Sequence, residues 1–168
     1  MKPDLDQLIK FLNLKPLVNE GGLFRQTYLS PLIYQPPDQP GVKHHLCTAI
    51  YYLLNAEPNS FSEIHKLSTD EVYHFYLGDP VEQLRLNPDG SGEVVLLGQD
   101  ILNGQQVQSV VSAGVWQGSR LVEGGAYALL GTTMAPGYRT EDYVCGDRQL
   151  LSSLYPTWQK LIGNLTRI

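Results

Sequence analysis

From about Gly22 onward, apolar and polar residues alternate with a period of two, in short runs bounded by turn signals. The runs are GLFRQTYLS, HLCTAIYYLLN, FSEIHKLS, EVYHFYLG, VEQLRLN, GEVVLLGQ, QQVQSVVSAG, WQGSRLVE and YALLGTTM. That period places successive side chains on opposite faces of an extended chain, so the pattern predicts nine strands. NPDGSG (87–92) has the proline and Asp-Gly of a hairpin turn, and LNG (102–104) and VEGG (122–125) are further turn candidates. YQPPDQPG (34–41) is too proline-rich for a strand and reads as a loop. With no helical run between the strands, the pattern predicts an antiparallel sandwich or barrel.

Helical periodicity appears only at the two ends. Leu5, Leu8, Ile9 and Leu12 recur at spacings of three and four, with Asp4 placed as an N-cap. After Gly146, Asp147 caps RQLLSSL and Pro156 opens TWQKLIGNL. A single domain over 1–168 is expected: a helix over 4–13, a β body over about 22–135, a closing loop over 135–147 and a helical tail over 147–165.

Composition narrows the function classes. The 168 residues are 42% apolar and 17% charged, enough for a core without disulfides. A net charge of −5 leaves no basic footprint, so nucleic acid is not an expected partner. Cys47 and Cys145 are far apart and outside any C-x-x-C pair, and read as free thiols. The first residues lack a signal-peptide core and no window approaches the roughly 18 apolar residues of a membrane span, so a soluble, cytoplasmic protein is expected.

The stretch FSEIHKLSTDEVYHFYLG (61–78) concentrates the candidate chemistry. In a regular strand Phe61, Glu63, His65 and Leu67 share one face; on the next strand Glu71, Tyr73, Phe75 and Leu77 form the matching face. Two carboxylates and an imidazole would then converge in an apolar interior, where they need each other, a metal or a ligand. The competing reading is a satisfied core histidine flanked by an acid.

These residues resemble the cupin superfamily. His65, Glu71 and Gly78 match its first motif, in which histidines precede a glutamate and then a glycine, and SAGVWQG (112–118) is similar to its second, P-x-G-x-x-H, with Gly114 in place. The likeness is to an uncharacterised RmlC-like branch, a domain-of-unknown-function family. It rests on the H-(x)4-D-E-(x)2-H pattern, AGVWQG, LLGTTMAPGY and the LYP tail, and spans nearly everything from Gly21 onward. It implies a jelly-roll β-barrel. Glu63 stands where a first histidine is expected, Ser112 where proline is, and Gln117 where the last histidine is. That set is poor for a soft metal. No metal or other cofactor is expected; were one bound, His65, Glu71 and Gln117 would hold it.

Other residues complete the candidate set. Gln117 shares a face with Val115 and Ser119 and can reach into the cavity as a neutral donor and acceptor. Arg25 and Arg120 are either anion clamps or surface charges. His74 falls on the opposite face from Glu71 and Tyr73, outside the barrel unless a bulge re-aims it. His44 and His45 point to opposite sides of one strand, and in the closing loop Tyr138, Asp142 and Tyr143 stand out. A small-molecule ligand is expected, with two readings open. One is metal-independent proton transfer of epimerase or isomerase type on a carbohydrate or organic acid, with His65 as base and Glu71 in the catalytic pair. Glu63, Tyr73, Phe75, Gln117, Arg25, Arg120 and His74 would be its ligand contacts. The other is a non-catalytic, storage-like binding module; a metal-dependent oxygenase is a weaker third. Strands apolar on both faces, such as CTAIYYLL, lead to the expectation of a homodimer.

Overall fold

The computed structural model describes residues 2–167. In chain order the elements are α1 (Leu5–Leu12), β1 (Lys15–Pro16), β2 (Leu23–Leu29), β3 (Ile33–Tyr34), β4 (His44–His45) and β5 (Thr48–Asn55). Then come β6 (Ser62–Lys66), β7 (Glu71–Gly78), β8 (Val81–Leu86), β9 (Gly92–Leu97), β10 (Gln108–Val111), β11 (Trp116–Leu121), β12 (Tyr127–Met134) and β13 (Val144–Cys145). The chain closes with α2 (Arg148–Leu154) and α3 (Gln159–Asn164). All nine expected strands form. The additions are the two-residue strands β1, β3, β4 and β13, too short to leave a periodic signature.

Two sheets face each other as a jelly-roll barrel. One runs β1-β2-β5-β12-β7-β10 and the other β13-β6-β11-β8-β9, with β3-β4 a separate hairpin. Every strand ladder is antiparallel. Tyr52, Leu54, Tyr73, Phe75, Val81 and Leu130 belong to the core cluster between the sheets. The turns form where the residue chemistry requires. Asn87 and Gly90 close the β8–β9 hairpin with a 3.0 Å backbone bond, and Val122 and Gly125 do the same before β12.

The helices explain the strands that are apolar on both faces. Asp4 caps α1 by accepting a 3.0 Å bond from the Gln7 N–H, and Leu5, Leu8, Ile9 and Leu12 pack on Leu53, Tyr127 and Leu129 outside the larger sheet. Asp147 caps α2 in the same way, through the Leu150 N–H at 2.7 Å. Leu151 and Ile162 then cover Ile64, Leu84 and Leu86 on the outer face of the smaller sheet. Much of the second apolar face that suggested a partner chain is thus buried by the chain itself. Both cysteines are free, and among the described residues no helix is long and apolar enough to cross a membrane.

This packing makes the helical tail part of the core. Ile162→Ala, at a fully buried position, is expected to cost about 2–5 kcal/mol in urea unfolding. Leu154→Ala, at a side chain left 56% exposed, is expected to stay within about 0.5 kcal/mol of wild type. Equal effects of the two would mean that the tail does not dock as described.

Candidate functional site

The smaller sheet presents polar side chains inward. Register pairs His65 with Gln117 and Gln117 with Arg85, and in the next row Ser62 with Ser119 and Ser119 with Gln83. Between these rows three steps on β6 match two on β11, which is a β-bulge. The bulge lets both Ser62 and His65 face inward, while Ile64 faces the C-terminal helices. Regular alternation therefore misplaces two residues. Phe61 packs in the outer cluster beneath the Arg167 guanidinium. The Glu63 carboxylate pairs with the Arg167 guanidinium and accepts the Arg167 backbone N–H at 2.9 Å. Neither belongs to the cavity.

His65 is held in one orientation. Its Nδ1 lies 2.7 Å from the Glu63 carbonyl oxygen. A carbonyl only accepts, so Nδ1 carries the proton and Nε2 of the neutral ring is an acceptor. That Nε2 is buried with no hydrogen-bond partner among the described residues, and Glu20 Oε1 lies 4.0 Å away. The Tyr143 ring stacks on the imidazole at 4.9 Å and 21°, and its hydroxyl donates to the Asn19 carbonyl at 3.1 Å. The 17–22 segment and the closing loop thus meet over His65.

Glu20 is the residue the sequence reading missed. It precedes Gly21 and Gly22, both at positive φ, and its carboxylate accepts from the Ser62 hydroxyl at 2.9 Å. At Gly21, φ is +100° and a Cβ would fall 2.2 Å from the Phe61 carbonyl oxygen, so this turn requires glycine. The EGG tripeptide was the available signal.

Glu71 reaches the same space from the opposite sheet. Its Oε2 accepts a 2.7 Å bond from the Gln117 amide, joining β7 to β11 across the interior. Burial, and next the nearby Glu20 carboxylate, push the Glu71 carboxyl above its usual range, against the favourable pull of His65, Thr132 and Gln117. Tyr73 is fully buried beside it, and its phenol is pushed well up, first by burial and then by Glu71. Gln117 Oε1, Ser119 Oγ and Gln83 Nε2 join His65 Nε2 as buried polar atoms without a partner among the described residues. All four lie on the inward rows of one sheet. Glu20, 4.0 Å from His65 Nε2, and Glu71, bonded to Gln117, line a cavity of about 230 Å³ together with Gln26, Thr48, Thr132, Tyr138 and apolar side chains that include Phe24 and Met134.

The remaining candidates lie elsewhere. Phe75 packs in the hydrophobic core and is not among the cavity's lining residues. Arg25 sits over the Tyr51 ring on the outside of the larger sheet. Arg120 pairs with Glu82 at 2.5 Å on the outside of the smaller one. His74 is also outside, against Thr133 and Gln108 and stacked on Tyr76. Strand parity explains all three, because their inward neighbours, such as Gln26, Ser119 and Tyr73, take the opposite face. His44 donates from Nδ1 to the Gly137 carbonyl at 2.9 Å, and Asp142 faces it at 3.8 Å, so both hold the closing loop in place.

The donors do not fit the metal of the cupin motifs. There is one inward imidazole nitrogen, the Gln117 amide presents its N–H to Glu71, and Glu63 is taken by Arg167. Among the described residues no three His, Cys, Asp or Glu side chains are arranged to hold a metal ion.

The raised Glu71 carboxyl gives a sign for stability against pH. In the unfolded chain it ionises in the ordinary carboxylate range, and in the folded protein only at higher pH, so its burial opposes folding increasingly as pH rises between those limits. Glu71→Gln is therefore expected to raise the melting temperature at pH 8 and to change it little at pH 4. A gap between variant and wild type that does not widen with pH would contradict the assignment.

Comparison with known proteins agrees with the geometry. A family model described as Cupin superfamily (DUF985) matches residues 6–145. Protein SO0799 from Shewanella oneidensis superposes with a TM-score of 0.87 at 28% identity, covering 99% of both chains. A hypothetical protein from Leishmania major superposes with a TM-score of 0.88 at 25% identity, covering 99% of this chain and 100% of that one. The uncharacterized protein YML079W of Saccharomyces cerevisiae is 28% identical over 135 residues, which span 74% of this chain and 66% of the yeast protein. The β-barrel, its helical tail and the family match together place this chain in the cupin superfamily, in the uncharacterised branch designated DUF985.

Proposed function

We propose that the barrel binds a small polar molecule and moves a proton on it without a metal, in the manner of an epimerase or isomerase. The observation that carries this reading is the oriented His65. Its Nδ1 is committed to a carbonyl, and its Nε2 is left as an unpartnered acceptor beside an acid–amide pair. Such a nitrogen serves as a general base, and the buried Glu71 carboxyl, pushed above its usual range, is the candidate complementary acid. Buried polar atoms without partners cost free energy that a bound molecule recovers. The cavity volume of about 230 Å³ lies below the roughly 300–1,000 Å³ of drug-sized pockets, which suits a monosaccharide or a molecule of similar size.

One observation favours binding without turnover. His65 is not among the residues lining the cavity, and Tyr143 lies flat over its ring. A ligand would reach Nε2 only if Tyr143 or Glu20 gave way. We further propose that two copies pair as a homodimer. The support is apolar surface the chain leaves uncovered: Leu32, Ile33 and Leu46 of the β3–β4 hairpin stay exposed, as do Tyr28, Tyr76 and Val110 on the larger sheet.

Incubating the protein with a panel of aldoses, ketoses and amino sugars in D2O separates the two readings. Wild type is expected to introduce deuterium at one carbon of a responsive sugar, seen by NMR. His65→Asn is expected to reduce exchange by at least about 100-fold, the scale of general-base catalysis, and His74→Asn to leave it nearly unchanged. Ligand binding without exchange would put the binding module in front. Exchange undiminished in His65→Asn would remove the proposed base. Sedimentation equilibrium tests the pairing: the dimer is expected, and a single species at the 18.8 kDa chain mass refutes it.

A further inference from the structure

The chemistry of the cavity wall is one-sided. Glu20 and Glu71 both line it, and no arginine, lysine or histidine does. Behind Glu20 and Glu71, two further polar atoms are left as acceptors. Gln117 spends its N–H on Glu71, which leaves Oε1 unpartnered, and His65 spends Nδ1–H on the Glu63 carbonyl, which leaves Nε2 unpartnered. Both side chains are at least 98% buried, at 2% and 1% exposure. Four arginines are committed elsewhere. Arg85, the one arginine facing the interior, donates to Gln83 and Ser109 and lies 3.8 Å from Glu93. Arg167 serves Glu63, and Arg25 and Arg120 are outside the barrel.

Glu20 and Glu71 meet an incoming ligand with carboxyl oxygens, and the other polar side chains of the wall, Gln26, Thr48 and Thr132, are neutral. An organic acid entering here would bring a third carboxylate to a site without a free cation, at a cost several times that in water. The complementary group is a positive one rich in N–H donors, and an ammonium offers three. The rest of the wall combines the neutral polar side chains Gln26, Thr48 and Thr132 with apolar ones, Leu17, Ile50, Leu67 and Met134, and holds two aromatic rings, Phe24 and Tyr138, on which a cation can settle. A bare metal ion would need several donors converging at roughly 2.0–2.6 Å, and among the described residues no such group exists. It would also leave the apolar wall without a partner.

We infer that the ligand of this cavity is a small organic cation, a primary ammonium on a compact, largely apolar body. This rests on the reading of the cavity as a ligand site and replaces the carbohydrate or organic acid expected from the sequence with a different substrate class. Glu20 and Glu71 receive the ammonium, and the neutral oxygens of the wall, on Gln26, Thr48 and Thr132, complete its hydrogen bonds.

Three probes of one shape test it: cyclohexylamine, cyclohexanol and cyclohexanecarboxylate, titrated calorimetrically into the whole protein at pH 8. The amine is expected to bind at least about tenfold more tightly than the alcohol, and the carboxylate not at all. Glu20→Gln and Glu71→Gln should each abolish the preference for the amine while leaving alcohol binding in place, so a loss of fold cannot imitate the result. Equal binding of amine and alcohol, tighter binding of the carboxylate, or no heat from any probe overturns the inference. Mn²⁺ alone binding in a chelator-sensitive way and displacing the amine overturns it too. Glucose binding as tightly as glucosamine, with both lost in His65→Asn, would also overturn the inference while leaving the proposed ligand site standing. Binding of every sugar undisturbed in His65→Asn would instead overturn that site.

Discussion

The hydrogen bond from the Gln117 amide to the Glu71 carboxylate, 2.7 Å long, spans the interior of the barrel from one sheet to the other. A carboxylate in an apolar interior is costly to hold, and it persists only where donors meet it. Here the donor is an amide on the facing sheet, so the position of β7 against β11 and the chemistry of the site are fixed by one contact. The same contact orients Gln117, leaving its oxygen aimed into the interior. His65, one strand away in register, is oriented by a carbonyl of its own strand. These two commitments leave Gln117 Oε1 and His65 Nε2 as buried acceptors without a partner among the described residues.

That arrangement also accounts for how this chain departs from the cupin motifs. Glutamine at 117 supplies what a histidine could not, an N–H for Glu71 together with a separate acceptor oxygen. Glutamate at 63 has left the interior and pairs with Arg167 near the C-terminal end, tying β6 to the helical tail. The glycine of the first motif keeps its backbone role. Gly78 has φ +115°, and a Cβ there would lie 2.3 Å from the Tyr127 carbonyl oxygen. The scaffold part of the pattern is retained and the metal-ligating part is replaced.

Much of this could be read from the sequence, for physical reasons that also mark where the reading stopped. Strand alternation, the Asp-Gly and Gly-Gly turns and the capping aspartates are local signals, and each appears where local chemistry demands it. Convergence of His65, Glu71, Tyr73 and Gln117 followed from alternation on three strands that happen to be regular at those positions. Glu63 and Phe61 were misplaced because one extra residue in β6 reverses the faces before His65. Glu20 lay outside every strand, and its place depends on a two-glycine turn reaching across the mouth. Arg85 was unreadable for another reason: a buried arginine whose hydrogen bonds go to Gln83 and Ser109 looks, in sequence, like any polar residue of an outward face.

The orientation of His65 is the most direct point at which to test the account. Nitrogen-detected NMR of the uniformly labelled protein, with the His65 signals identified by their loss in His65→Asn, reports which ring nitrogen holds the proton. His65 is expected to carry a proton on Nδ1, with an Nε2 resonance that moves when cyclohexylamine is added. A His65 protonated at Nε2 alone would contradict it, because the nitrogen assigned to receive the ligand's proton would already hold one.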